Sequence, residues 1–283
     1  MEAKKKYELT SETIKFNGVT LHRIKALKNF SDVKAGNLGG WVEKEENLSQ
    51  TDNAWVYSNA KVYGNAEVYG NAQVFANAQV FGNAFVYGNA EVYGNAHICD
   101  NAKVYGNTEV HGDAQVFANA QVFGNAKVYG NAKVFGNAKV YGNAVVCDNA
   151  MVYGNSEVYG DAKVYDYAWV YDKSSVHGNA RIRDYAEVHN NAEICGNAVV
   201  CDNADYIVFK NFWSSGRFFT WTRSNNMWSA GCFYGTGKEL IEKAYADSET
   251  SGRECEKIVR LTGSTIDALN LFKLFTNGSK KEL

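Results

Sequence analysis

The chain has 283 residues, a formal net charge of −2 and no proline. That length admits one or two domains with a substantial core, and the near-neutral balance gives no whole-chain signature for nucleic acid or an anionic membrane surface. No run of about twenty apolar residues occurs, so no membrane-spanning helix is expected. The opening MEAKKKYELTSET is basic but has no apolar stretch behind it, so a cleaved secretory signal is not expected, and the cytoplasm is the expected compartment. The six cysteines (Cys99, Cys147, Cys195, Cys201, Cys232 and Cys255) include no C-x-x-C pair. They read as reduced packing residues, with no disulfide framework and no metal site.

Residues 1–52 come first. Apolar runs or alternation at 7–9, 13–16 and 19–24 suggest strands, and Asn17-Gly18 between the last two is a hairpin signal. Trp41 and Val42 begin a degenerate first coil. The block reads as a cap, because the open end of a parallel solenoid would otherwise pair edge to edge with other chains.

Residues 53–204 hold an uninterrupted six-residue repeat, N-A-x-V-(Y/F)-G, which runs without insertion from Asn53 to Asp202. That is 150/6 = 25 hexads. The second position is small and the fourth is Val or Ile, so both face inward; the third lies between them, is freely polar, and faces solvent. The sixth and first positions, usually Gly-Asn, are turn residues. Three hexads make a triangular coil of 18 residues, so 25/3 gives about eight coils at about 4.8 Å each, a solenoid about 40 Å long. Burying one Val and one Ala gives roughly 2–4 kcal/mol, whereas ordering six residues costs roughly 6–12 kcal/mol. A hexad therefore folds only when stacked, with backbone ladders, aligned Asn side chains and files of Tyr/Phe coupling each coil to the next.

Residues 205–283 change in composition. DYIVFKNFW, GRFFTWTRS and NMWSAGCFYG read as three strands, with Asn225-Asn226 as a turn. Helices are expected at 238–246, 253–261 and 265–274, the last with Ser264 as its N-cap. This is a small α+β domain whose aromatic residues suit a core and a docking surface. The Gly-rich stretch before Lys238 is not a phosphate loop: G-x-x-x-x-G-K-[ST] would need glycine where Cys232 stands and Ser or Thr where Glu239 stands.

The hexad, with Val62, Gly64-Asn65 and Ala66 in register, resembles the hexapeptide-repeat, left-handed β-helix family, although Tyr or Phe follows the aliphatic residue where that family usually has a small one. The resemblance implies a left-handed coil, and it favours a homo-oligomer, a trimer in particular. Many members are acyltransferases that use an acyl-CoA donor and a catalytic His near a loop extruded from the coil. Both flanks, HRIKALKNFSDVKAGNLGGWVEKEENLS and GCFYGTGKEL, resemble phage and prophage hexapeptide-repeat proteins often labelled acyltransferases.

No loop interrupts the hexads. Of the repeat histidines, His97 takes the outward third position, while His111, His177 and His189 replace the aromatic, with no carboxylate specifically placed to orient any of them. The expected function is thus a non-catalytic solenoid scaffold or binding protein of phage or prophage origin, acting through protein–protein contacts and needing no cofactor. Two alternatives stand beside it: a counter-defence protein that binds a nucleotide or host protein through the C-terminal domain, and an acyltransferase. Nucleic acid is not an expected partner. Trp55, Phe85, Met151 and Trp169, apolar residues at outward positions, are the candidate interface. Lys210, Arg217, Trp221, Arg223, Trp228 and Tyr234 are the candidate binding residues of the C-terminal domain.

Overall fold

The computed structural model describes residues 5–263. Three strands open the chain: β1 (Tyr7–Phe16), β2 (Val19–Ala26) and β3 (Leu38–Val42). Each of the 25 hexads then contributes one short strand, from β4 (Trp55–Val56) to β28 (Val199–Val200). Every third strand is hydrogen-bonded in parallel, with partners 18 residues apart, as in Glu91↔Glu109, His97↔Gln115 and Lys103↔Gln121. The result is a three-faced parallel β-solenoid whose faces hold nine, eight and eleven strands, the last including β1–β3.

The solenoid has about nine turns: the 25 hexads supply about eight, and the degenerate first coil expected at Trp41 and Val42 supplies part of another. Trp41 and Val42 pair in parallel with Lys61 and Val62, and Leu48 bridges to Val68. These partners are 20 apart instead of 18, while Val56↔Val74 is already 18. Two extra residues therefore sit between Leu48 and Val56, which is why this first coil falls out of the hexad register.

Each hexad position behaves as its chemistry requires. The Ala and Val/Ile files are sealed from solvent and form one continuous core. In every hexad but the last the sixth position lies in the left-handed region, as at Gly124 (φ +78°), and where it is not glycine it is Asp, Asn, Ala or Ser, such as Asp148 (φ +59°); Asp202, at the end, is extended. Asn side chains donate amide to carbonyl up the corners, at 2.9 Å from Asn71 to Asn89 and 2.8 Å from Asn89 to Asn107. Aromatic rings stack in register, in one case without a break through Tyr69, Tyr87, Tyr105, Phe123, Tyr141, Tyr159 and His177, at 4.7–5.0 Å.

Both ends of the solenoid are covered. At the N-terminal end the β1–β2 hairpin turns at Asn17-Gly18, both with positive φ, and extends one face antiparallel. Tyr7 and Phe30 pack edge-on against Trp55, which is buried. The buried Lys6 ammonium donates to the carbonyls of Ala54 (2.8 Å) and Asp52 (3.1 Å), and the Asp52 carboxylate stands 3.6 Å away.

At the C-terminal end, β29 (Tyr206–Lys210), β30 (Phe218–Thr222), β31 (Met227–Ala230) and β32 (Phe233–Thr236) form an antiparallel sheet, followed by α1 (Gly237–Asp247) and α2 (Glu249–Gly263). The third expected strand is instead a hairpin, β31–β32, turning through Gly231 at φ +60°. Helix α2 starts four residues before its expected boundary, and the expected helix 265–274 lies outside the described residues. Thr236 caps α1 by accepting from the Glu239 N–H, and the Glu239 carboxylate accepts from the Thr236 N–H at 2.7 Å. The residue that spoils the phosphate-loop pattern thus completes a capping box.

Candidate functional site: the cleft at the C-terminal end of the solenoid

The last coil would present unpaired N–H groups on all three faces, and side chains take them up. The N–H groups of Glu187, Glu193 and Val199 donate to Asn203 Oδ1 (2.7 Å), Thr220 Oγ1 (2.9 Å) and Ser224 Oγ (2.7 Å). Tyr206 and Ser229 donate back to the carbonyls of Glu187 and Glu193. The sheet is thus a layer between two environments. Its Thr220 and Ser229 side meets the coil, while its Phe219, Trp221 and Trp228 side packs on Leu240, Ala244 and Cys255 of the helices.

This layering separates the candidate binding residues. Trp221 and Trp228 are core, with Trp221 Nε1 donating to Asn226 Oδ1 at 2.9 Å. Tyr234 lies toward the coil, against Gly196, and accepts from Asn225 Nδ2. Lys210 and Arg217 flank one end of the β29–β30 ladder, and Arg223 flanks the other, where it faces Asp205 at 3.6 Å. The six do not converge on one pocket. Of the candidate interface residues, Trp55 is corrected to a core residue, since the N-terminal segment covers the first coil. Phe85 is half-buried, with the Lys103 ammonium 5.9 Å from its ring. Met151 and Trp169 are adjacent in register on one face.

A cavity of about 560 Å³ opens beside the capping layer. It is lined by Ile207 and Phe209 of β29, by Ile258 and Leu261 of α2, and by His189 and Asn203 at the solenoid end. Lys210 sits at the lip beside Phe212, whose ring is 83% exposed. The lining is mostly apolar with one cation at the edge, a composition and size suited to an apolar body bearing a polar or acidic group. Burial pushes the Tyr206 hydroxyl up to about 12, so it stays a hydrogen-bonding group in the wall. The sequence signal was present only in part: Lys210 stood out, but Phe212 and the α2 residues that complete the cleft look like ordinary aromatic and amphipathic positions.

Contrary to expectation, one histidine does meet a carboxylate: His177 Nε2 is 3.1 Å from Glu193 Oε1. The pair repeats a diagonal contact that Tyr141 makes with Glu157 and Tyr171 with Glu187, each 16 residues on, so it belongs to the lattice of the repeat. Burial pushes the thiols of Cys99, Cys147 and Cys255 up to about 11 and that of Cys195 to about 12, away from thiolate reactivity. All six cysteines are free, and the described residues hold no group of His, Cys, Asp or Glu able to bind a metal. No helix among them is long and apolar enough to cross a membrane.

No protein-family model matches the chain. Among curated proteins it is similar to an uncharacterized acetyltransferase, YdcK, of Escherichia coli (strain K12), with 38% identity over 61 residues. The match spans 19% of this chain and 19% of that protein. Together with the solenoid, this short similarity fits a hexapeptide-repeat origin for the coil.

Proposed function

We propose that the chain is a non-catalytic β-solenoid scaffold that holds a protein partner at its C-terminal end. The supporting observation is the cleft: an apolar, cation-edged cavity on a rigid end that side chains have already closed to further strand pairing. The partner would insert an apolar side chain between Phe209 and Leu261 and set an acidic group near Lys210. Cytoplasmic placement and a homo-oligomer, a trimer by resemblance, belong to the same proposal. The likeness of both flanks to phage and prophage proteins is what supports a mobile-element setting.

A second reading, acyl transfer from an acyl-CoA, has one observation in its favour, the similarity to YdcK. Thermal unfolding of the full chain with acetyl-CoA and with nucleotides separates the two, since a ligand that binds the folded state raises the melting temperature. The scaffold reading expects no shift with either, and a partner retained by the wild type but lost by Phe212→Asp. A saturable shift with acetyl-CoA would overturn it in favour of the enzyme.

A further inference from the structure

One corner of the solenoid breaks the rule of its own repeat. The first hexad position is Asn in 20 of 25 copies, yet two successive coils place Tyr167 and Tyr185 there. Their rings stack at 5.2 Å and 9°. They are 52% and 76% exposed, and with Trp169 at 37% they are the exposed large hydrophobics of the hexad region. All three thus lie on one edge of an otherwise polar surface. The two rings stack on each other but are otherwise open to solvent, and so exposed an aromatic pair at a corner that asparagine elsewhere fills points to a ligand.

The surroundings restrict what that ligand is. In these two coils Lys163, Tyr165, Tyr167 and Trp169 lie in register over Arg181, Arg183, Tyr185 and Glu187. The cations Lys163, Arg181 and Arg183 interleave with the Asp148, Asp166 and Asp184 carboxylates that rise through the same corner and with Glu187, so the edge carries both signs with a slight acidic excess. Asp184 pairs with Arg183 at 3.3 Å, and Asp166 accepts the Asp184 N–H at 3.2 Å. The tyrosine stack also ends open. The next residue in its file, Asn203, is turned to the Glu187 N–H, so nothing from the following coil covers the outer face of Tyr185.

We propose that this corner is a binding site for a neutral carbohydrate chain. The apolar face of a pyranose ring would continue the stack on Tyr185, and Trp169 would take a neighbouring sugar. Planar guanidinium and carboxylate groups suit vicinal hydroxyls, because they donate and accept in pairs. The mixed charge disfavours a polyanion, which would meet the Asp file and Glu187, and a polycation, which would meet Arg181 and Arg183. The site's aromatic residues are not among those lining the cleft beside α2, although Asn203, which follows Tyr185 in its file, lines that cleft.

The test is binding of the full chain to an array of neutral glycans, followed by affinity electrophoresis in gels containing the neutral polysaccharides that score. Tyr185→Ala and Trp169→Ala should each weaken retention roughly tenfold, the loss of one aromatic stacking contact. Tyr245→Ala, on α1, should leave it unchanged. Unaltered melting temperatures would show that the variants fold. Absence of retention on every neutral glycan, or retention indifferent to Tyr185→Ala, would overturn the proposal. So would a preference for heparin that fades with salt, or self-association seen by light scattering and abolished by Tyr185→Ala.

Discussion

Lys6 offers a sharp test of how the N-terminal end is closed. Its ammonium is buried against the Ala54 and Asp52 carbonyls, and burial lowers its pKa from 10.5 to about 8 despite the nearby Asp52 carboxylate. Below about pH 8 the group is charged in both folded and unfolded chains, and its burial opposes folding. Between about pH 8 and 10.5 the folded chain gives up the proton first, the unfolded chain binds more protons, and this group's contribution to stability rises. The displacement is 10.5 − 8 = 2.5 pKa units, about 3 kcal/mol over the whole window and about 2 kcal/mol between roughly pH 7.5 and 9.5. The ladder tyrosines and buried cysteines have the opposite sign, because their raised pKa values make stability fall as pH rises. Those contributions are common to the wild type and Lys6→Met. Urea unfolding of both proteins at the two pH values, followed by circular dichroism, isolates the difference. The stability of Lys6→Met should decline with pH more steeply than that of the wild type, by about 2 kcal/mol. Parallel pH profiles would refute the reasoning, since Lys6 would then keep an ordinary pKa and could not be sealed in the cap.

Other substitutions test the interior and the C-terminal end. Thr108 occupies a buried Ala position with its hydroxyl unpartnered, so Thr108→Ala should raise the urea midpoint, by about 1 kcal/mol in stability. Ser156→Ala should not do so, because the Ser156 hydroxyl reaches the Tyr153 and Val170 carbonyls. Thr220→Val leaves the Glu193 N–H of the last coil without an acceptor and should cost about 1–3 kcal/mol, with faster amide exchange at Glu193. Gly39→Ala would set a methyl group 2.6 Å from Ile24, Trp55 and the Val56 carbonyl, and should cost about 1–3 kcal/mol in a calorimetric melt.

The solenoid was legible because its determinants recur. A small residue and a Val or Ile in every hexad, with a left-handed turn residue in all but the last, define the coil over and over, and the Asn and aromatic files follow from the 18-residue period. The ends were less legible because their determinants occur once each. Asn203, Thr220 and Ser224 are ordinary polar residues until the coil they terminate is in place. Trp55 sits at an outward position by the logic of the hexad, yet it is core because Tyr7 and Phe30 come from outside the repeat to cover it. Gly231 looked like the interior of one strand, but its positive φ splits that strand into a hairpin. The cleft was hidden for the same reason: it joins residues of β29, α2 and the last coil, which no local pattern links.

The strict hexad register also has a geometric consequence for lineage and engineering. Inserting or deleting 18 residues lengthens or shortens the rod by one strand spacing, about 4.8 Å, and returns both ends to the same angular setting. Inserting or deleting six turns one end against the other by a third of a revolution and barely changes the length. A segment duplicated over 42 residues, as at Gln73 and Gln115, therefore rotates whatever follows it. Repeat number sets the azimuth between the two caps as well as the distance between them, so slippage in the coding sequence can re-aim the C-terminal cleft without altering any residue that lines it.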